Sequence, residues 1–269
     1  MIPNVLSIAG SDPSGGAGIQ ADLKTFSALR CYGMAAVTAL TAQNTRGVSG
    51  VHVPPASFVA AQIDAIFTDV RVDAVKIGML ASAEIVEAVA DRLRAHNARN
   101  IVLDPVLVAT SGDSLGAPDV VEAMKRHLFA LANVITPNTS EAMRLADVSS
   151  EPQNAADLGT LARALHALGA RAVLVKGGHL TGDDAPDVLF DGAKLETFNG
   201  PRIETRNTHG TGCTLSSAIA AHLARGFSLK TAIAVAKDYL TDSLAASDEL
   251  SVGSGEGHGP VHHFHNLWP

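Results

Sequence analysis

The chain has 269 residues, 46% hydrophobic and 17% charged, a balance that suits a compact, helix-rich fold and excludes a disordered or fibrous one. Its 27 acidic against 20 basic side chains give a net charge of -7, without the electrostatic footprint of a nucleic-acid binder. Two cysteines, Cys31 and Cys213, are too few for a disulfide framework and lack CxxC spacing, and no basic leader or run of about 18 apolar residues occurs. A cytoplasmic protein with neither nucleic acid nor membrane as partner is expected.

Short apolar runs alternate along the chain with segments of helical period. Residues 4–9 (NVLSIA) read as a buried strand, and beyond a glycine-rich loop Ile19, Leu23 and Phe26 recur at helix spacing. The alternation continues with strand 34–42, helix 56–70, strand 73–78, helix 82–95, strand 100–106, helix 118–131, strand 133–136, helix 154–168 and strand 171–176. Continuous apolar strands such as AVLV imply helices on both faces of a mostly parallel sheet. Between 186 and 205 the runs PDVLFDG, KLETF and RIET, separated by Asp-Gly and Asn-Gly-Pro turns, predict antiparallel strands at a sheet edge. A helix from Cys213 to Arg225 ends at Gly226, and another begins at a Ser228 cap and carries Leu229, Ile233, Ala236 and Leu240 on one face. With no repeat and no linker, residues 1–269 are expected to form one doubly wound α/β domain.

Ligands of such sheets bind beyond the carboxyl ends of the strands, and here several ends are chemically distinctive. The first carries GSDPSGGAGIQAD, whose glycines let backbone approach a ligand at a helix start, or simply make a tight turn. Gly16, Gly18 and Ala21 fit the GxGxxA dinucleotide pattern, but the five residues between strand and pattern and the absence of an acidic residue in TALTAQ weigh against a Rossmann site. At the second end, the Gln43 carboxamide has the acceptor and donors to pair with an aminopyrimidine edge, or else satisfies loop backbone. Met79 in KIGML and Val106 in LDPV offer apolar walls for a flat ring. Asp104 and Glu141, from adjacent strand ends, suit Mg²⁺ held through water, although Glu141 would equally serve a helix N-terminus. Lys176 ends a buried strand, where an ammonium needs an anion and can reach phosphate oxygens. Finally, NTHGTGCTLS sets the amides of Gly210, Thr211 and Gly212 at a helix N-terminus, an anion hole suited to phosphoryl transfer or a tight turn with a small cysteine packed beside it. A thiol at that point is expected to have its thiolate favoured.

These motifs, with IAGSDPSGGAGIQADLKTFSALRCYG, TALTAQNTRGV, ITPN, VKGGHL and GHGPVHHFH, make the chain resemble the hydroxymethylpyrimidine/phosphomethylpyrimidine kinases of thiamine biosynthesis, within the ribokinase-like superfamily. The resemblance runs nearly end to end, and the pairing of AQNT with HGTGCTLS is its most specific part. It implies a three-layer α/β/α fold, usually a homodimer, that uses ATP and Mg²⁺ to phosphorylate 4-amino-5-hydroxymethyl-2-methylpyrimidine and then its monophosphate. Carried onto this sequence, it sets Gln43, Gly10, Ala17, Met79 and Val106 around the pyrimidine, with Asp22 as a polar group near them. It gives Gly210, Thr211 and Gly212 to the anion hole, Cys213 to the attacking hydroxyl, and Lys176 and Thr208 to ATP. Two alternatives stand beside it: a pyridoxal or pyridoxine kinase of the same fold, and a non-catalytic pyrimidine-binding regulatory module. The histidines 262, 263 and 265 read as a solvated or packed tail in preference to a metal site.

Overall fold

The computed structural model describes residues 1–107, 118–178 and 180–268. Its centre is a nine-stranded sheet in the order β3-β2-β1-β4-β5-β6-β7-β8-β9. The strands are β1 (Asn4–Gly10), β2 (Tyr32–Asn44), β3 (Gly47–His52), β4 (Ala74–Ile77), β5 (Ile101–Leu103), β6 (Val134–Ile135), β7 (Val173–Lys176), β8 (Asp187–Phe190) and β9 (Leu195–Phe198). Strands β2, β1 and β4 to β7 run parallel, and β3, β8 and β9 close the two edges antiparallel.

Helices α1 (Gly18–Ala28), α7 (Thr211–Ala224) and α8 (Leu229–Ala245) share one core with Val5, Ala74, Val102, Val134 and Leu174. Helices α2 (Ala56–Phe67), α3 (Ala83–Ala95), α4 (Pro118–His127), α5 (Thr139–Ala146) and α6 (Ala155–Ala167) cover the other face, over Leu6, Ile8, Val75, Ile77, Ile101, Leu103, Val173 and Val175. This period-2 partition fixes where the polar residues go. Ser7, Lys76, Asp104 and Lys176 each stand two residues from a member of the α1/α7/α8 core, so strand parity turns all four toward α7.

Most predicted elements appear, trimmed by a few residues: strand 100–106 pairs only over β5, and helix 118–131 ends at His127. Three differences are larger. Strand β2 continues through Gln43 and Asn44 because β3, split by Gly50 and unrecognised as a strand, pairs with it. Helix α5 is absent from the predicted elements, although a helix N-terminus at Glu141 is one of the two readings of that residue; eight residues are short for a periodic signal, and an Asn138–Glu141 capping box starts it. RIET adds no third edge strand after β8 and β9. His179, within the VKGGHL motif, lies outside the described residues.

Candidate active site

The polar residues gather at the carboxyl ends of the parallel strands, around β1, which has its successors β2 and β4 on opposite sides. Gly10 ends β1 and Met79 follows β4; a Cβ at position 10 would collide with the Met79 thioether, so glycine there lets the methionine cover the strand end. Thr38 Oγ1 donates to the Met79 carbonyl at 2.6 Å and anchors it. Val106 is half-buried, two residues past Asp104.

The loop between β1 and α1 is organised by Asp12, which is 2% exposed. Its Oδ1 accepts from the Ser14 amide at 2.9 Å and hydroxyl at 2.7 Å, and its Oδ2 from the Gly16 amide at 3.2 Å and the Ala17 amide at 2.8 Å. His209 Nε2 adds a contact to Oδ2 at 2.8 Å. Burial works to raise the Asp12 carboxyl, but the His209 and Ser14 hydrogen bonds outweigh it and hold it at about 2. The half-buried Ala17 thus stands at the entry to α1 on a backbone fixed by a carboxylate. Gln43 lies alongside: its Nε2 is 3.4 Å from His209 Nε2, and its Oε1 is 3.2 Å from Thr41 Oγ1.

Across the site, Gly210 takes a left-handed conformation (φ 82°) as N-cap of α7, without a side-chain cap. Any Cβ there would strike the Gly16 carbonyl, so both glycine loops meet backbone to backbone. The Thr211 amide turns back to the Thr208 carbonyl at 3.3 Å, and the amides of Gly210, Gly212 and Cys213 are those that helix geometry leaves without an intrahelical partner. Gly212 faces the charged pair: a Cβ on it would stand 3.1 Å from Lys176 Nζ and 3.4 Å from Asp104 Oδ2.

Lys176 meets the anion its burial demands within the protein, donating to Asp104 Oδ1 at 2.9 Å. Burial opposes its charge, but Asp104 and Glu141 prevail and raise its pKa. Asp104 also accepts from Thr136 Oγ1 at 3.3 Å and Ser216 Oγ at 3.4 Å. Glu141 completes the capping box, accepting from the Asn138 amide at 2.8 Å, so the helix-terminus alternative is realised. Burial pushes its carboxyl up to about 7, against the pull of Lys176.

Two expectations need correction. Asp22 does not line the pocket: it is fully buried on α1, and its carboxylate accepts from Lys76 Nζ at 2.8 and 2.9 Å, Ser7 Oγ at 2.6 Å and Ser217 Oγ at 2.7 Å. Every lone pair is turned inward, beneath α7. Cys213 is not primed as a thiolate either. Desolvation pushes its thiol up to about 11; Lys76 and the Gly18 amide pull it down, but the carboxylates of Asp22 and Asp104 add to the rise.

A profile of the phosphomethylpyrimidine kinases matches residues 12–262, which takes in both glycine loops, Gln43, Lys176 and Cys213. The chain belongs to the phosphomethylpyrimidine kinase family. It is 54% identical over 263 residues to the hydroxymethylpyrimidine/phosphomethylpyrimidine kinase of Rhizobium meliloti, covering 98% of this chain and 97% of that protein. To the enzyme of that name from Salmonella typhimurium it is 52% identical over 265 residues, covering 98% of both. Among solved structures, the ADP complex of Bacillus subtilis pyridoxal kinase superposes with a TM-score of 0.88 at 38% identity, covering 98% of each chain. The fold is therefore that of the ribokinase-like kinases, and membership of a kinase family sets aside the non-catalytic alternative.

Three features of this kinase were missed or left unassigned in sequence. Asp12 and His209 sit inside quoted motifs, yet an Asp-Pro turn and a histidine before a glycine have commoner explanations. The Lys76–Asp22 pair is legible only through strand parity. The histidine tail packs as expected: His262 and His263 are buried, His263 Nε2 lies 3.1 Å from Thr214 Oγ1, and His265 Nδ1 is 3.2 Å from Ser243 Oγ. Among the described residues no cluster of three or more His, Cys, Asp or Glu side chains is arranged for a metal. Among them, too, no helix is long and apolar enough to cross a membrane. Thr208 is half-buried, its Oγ1 3.5 Å from His258 Nδ1. Next to it opens a cavity of about 440 Å³ lined in part by Thr45, Arg206, Asn207, Asp248 and Val252.

Proposed function

We propose that this kinase, acting as a single domain over residues 1–269, transfers the γ-phosphoryl group of ATP to the hydroxymethyl group of 4-amino-5-hydroxymethyl-2-methylpyrimidine. It then phosphorylates the monophosphate to the diphosphate, supplying the pyrimidine half of thiamine. The observation that carries this reading is the approach of Lys176 Nζ and Asp104 to Gly212, in the first turn of a helix whose N-terminus has no side-chain cap. Charge spread over a phosphoryl group in flight is stabilised by such a preorganised cradle more than by covalent chemistry.

The pyrimidine lies between Gly10, Ala17, Gln43, Met79 and Val106, its hydroxymethyl toward Cys213. ATP approaches from the Lys176 side, its phosphates at Gly210, Thr211, Gly212 and Lys176. Thr208, two residues before the Gly210 N-cap, is assigned to the same nucleotide. Asp104 and Glu141 fit Mg²⁺ held through water: both are oxygen donors, Asp104 is paired with Lys176 through one oxygen, and Glu141 keeps one oxygen on the Asn138 amide. When bound, the ion would neutralise charge on the ATP phosphates. A protonated Cys213 orients the hydroxyl, whose proton passes late, in a dissociative transfer, to an oxygen of the phosphoryl group it receives.

The homodimer and the cytoplasm belong to the same proposal. Exposed Leu40, Val51, Val53 and Phe58, at the β2–β3 hairpin and the start of α2, support a partner surface, and two unpaired cysteines suit a reducing compartment.

Likeness to a pyridoxal kinase favours one second reading, activity on pyridoxal. A coupled ATPase assay on both alcohols separates the two. The pyrimidine alcohol is expected to show the higher kcat/KM by at least about tenfold; a higher value for pyridoxal would reverse the assignment.

A further inference from the structure

We infer that His209 is a positioning residue that sets which way round the Gln43 carboxamide is presented to the heterocycle, and so determines specificity for an aminopyrimidine. The inference rests on the placing of Gln43 against the pyrimidine proposed above.

Hydrogen accounting carries it. The Asp12 carboxylate can only accept, and it already receives the Gly16 and Ala17 amides, so His209 Nε2, 2.8 Å from Asp12 Oδ2, carries a hydrogen and donates it there. A ring nitrogen that carries hydrogen has no lone pair for an amide NH₂. As placed, the Gln43 Nε2 lies 3.4 Å from it, N–H against N–H, whereas an oxygen there would share the hydrogen that His209 gives to Asp12, so this side favours the carboxamide turned the other way round. The opposite side asks for the same arrangement. Thr41 has one hydroxyl hydrogen, which it donates to the Ser11 carbonyl at 2.8 Å, so the Thr41 oxygen can only accept from the Gln43 atom 3.2 Å away. Oxygen and nitrogen of a carboxamide exchange places by a half-turn about its last bond. Both neighbours therefore select one state, oxygen toward His209 and nitrogen toward Thr41.

The selecting groups are themselves fixed. His209 is 5% exposed, its ring lies against Gly16, its backbone bridges to Pro260, and its amide donates to the Gly259 carbonyl at 2.9 Å. It directly precedes the Gly210 N-cap, so one residue ties the anion-hole loop to the Asp12 loop and to Gln43. In the selected state Gln43 retains one lone pair and one N–H, side by side in fixed order. That pattern complements an amino group beside a ring nitrogen. It mismatches the oxo analogue, in which a carbonyl and a ring N–H exchange donor and acceptor.

The test measures kcat/KM for the aminopyrimidine alcohol and for its 4-oxo analogue in wild type, His209→Leu, His209→Gln, Thr41→Val and Gln43→Ala, with the KM for ATP in each. In His209→Leu the amino-to-oxo preference is expected to fall by at least about tenfold, through the KM of the pyrimidine, with the KM for ATP within about twofold. Glutamine, whose Nε2 stands close to where the imidazole Nε2 did, should restore most of the preference. Thr41→Val, which removes the opposite selector, should lower the preference as well, and His209→Phe replaces His209→Leu should the latter fail to fold. An unchanged preference in the His209 variant, with pyrimidine binding still sensitive to Gln43→Ala, overturns the role of His209 alone. An unchanged pyrimidine KM in Gln43→Ala overturns the placing of Gln43 and this inference with it.

Discussion

Cys213 stands where its residue type and its surroundings pull in opposite directions. A helix N-terminus favours a thiolate. Burial and the carboxylates of Asp22 and Asp104 outweigh that influence, together with the pull of Lys76, and hold the thiol up to about 11. A group protonated at neutral pH works by aiming the substrate hydroxyl, so what matters is a small polar atom at that point. Cys213→Ala is expected to lower kcat by about a hundredfold with little change in the KM for ATP, and Cys213→Ser to recover most of the loss. Steady-state kinetics on the three proteins check this, and a serine variant as impaired as the alanine variant would contradict an orienting role. Asp22 teaches a related lesson. The family resemblance sets it near the pyrimidine, but the helical turn from Gly18 carries it inward onto Lys76.

At the scale of elements, the parallel strands were legible because burial on both faces leaves continuous apolar runs, and their carboxyl ends marked the site before any side chain was placed. The same logic brought Asp104, Lys176 and Gly212 together, and the structure joins them within a few ångströms. What was not legible depends on pairing between distant segments. Strand β3 has little apolar pattern of its own and exists because β2 offers it an edge. The contact of Asp12 with His209 bridges the first and last loops of the site, and no local period reports it. Helix α5 is set by its capping box, whose Glu141 reads in sequence equally as a cation ligand and as a helix-terminus residue.

At the scale of the whole molecule, two buried histidines tie stability to pH. His222 has neither ring nitrogen hydrogen-bonded and stacks on Phe227, and burial lowers its pKa to about 4. Burial lowers that of His263 to about 3, with Lys24 adding to the effect. Both groups bind protons more readily when unfolded, so the native state loses stability as pH falls below the unfolded value near 6.5, and the loss continues until the folded values are reached. At pH 5 each costs about 2 kcal/mol relative to neutrality. Asp12 acts only in stronger acid: its lowered carboxyl contributes stability above the unfolded value of 3.8, which is lost as pH falls toward about 2. Denaturant unfolding from pH 7 to 5 should show this slope, and His222→Phe, which forfeits no hydrogen bond, should make it shallower. An equal slope in the variant would remove His222 from the account.

The central claim is that these loops convert ATP and one pyrimidine alcohol into two successive phosphorylated products. Phosphorus NMR of the enzyme with ATP, Mg²⁺ and 4-amino-5-hydroxymethyl-2-methylpyrimidine follows both steps in one tube. ADP formation that depends on the pyrimidine is expected, with a phosphomonoester signal that rises first and a diphosphate pair that replaces it. ADP formation indifferent to the pyrimidine, or a monoester that is never consumed in excess ATP, would contradict it.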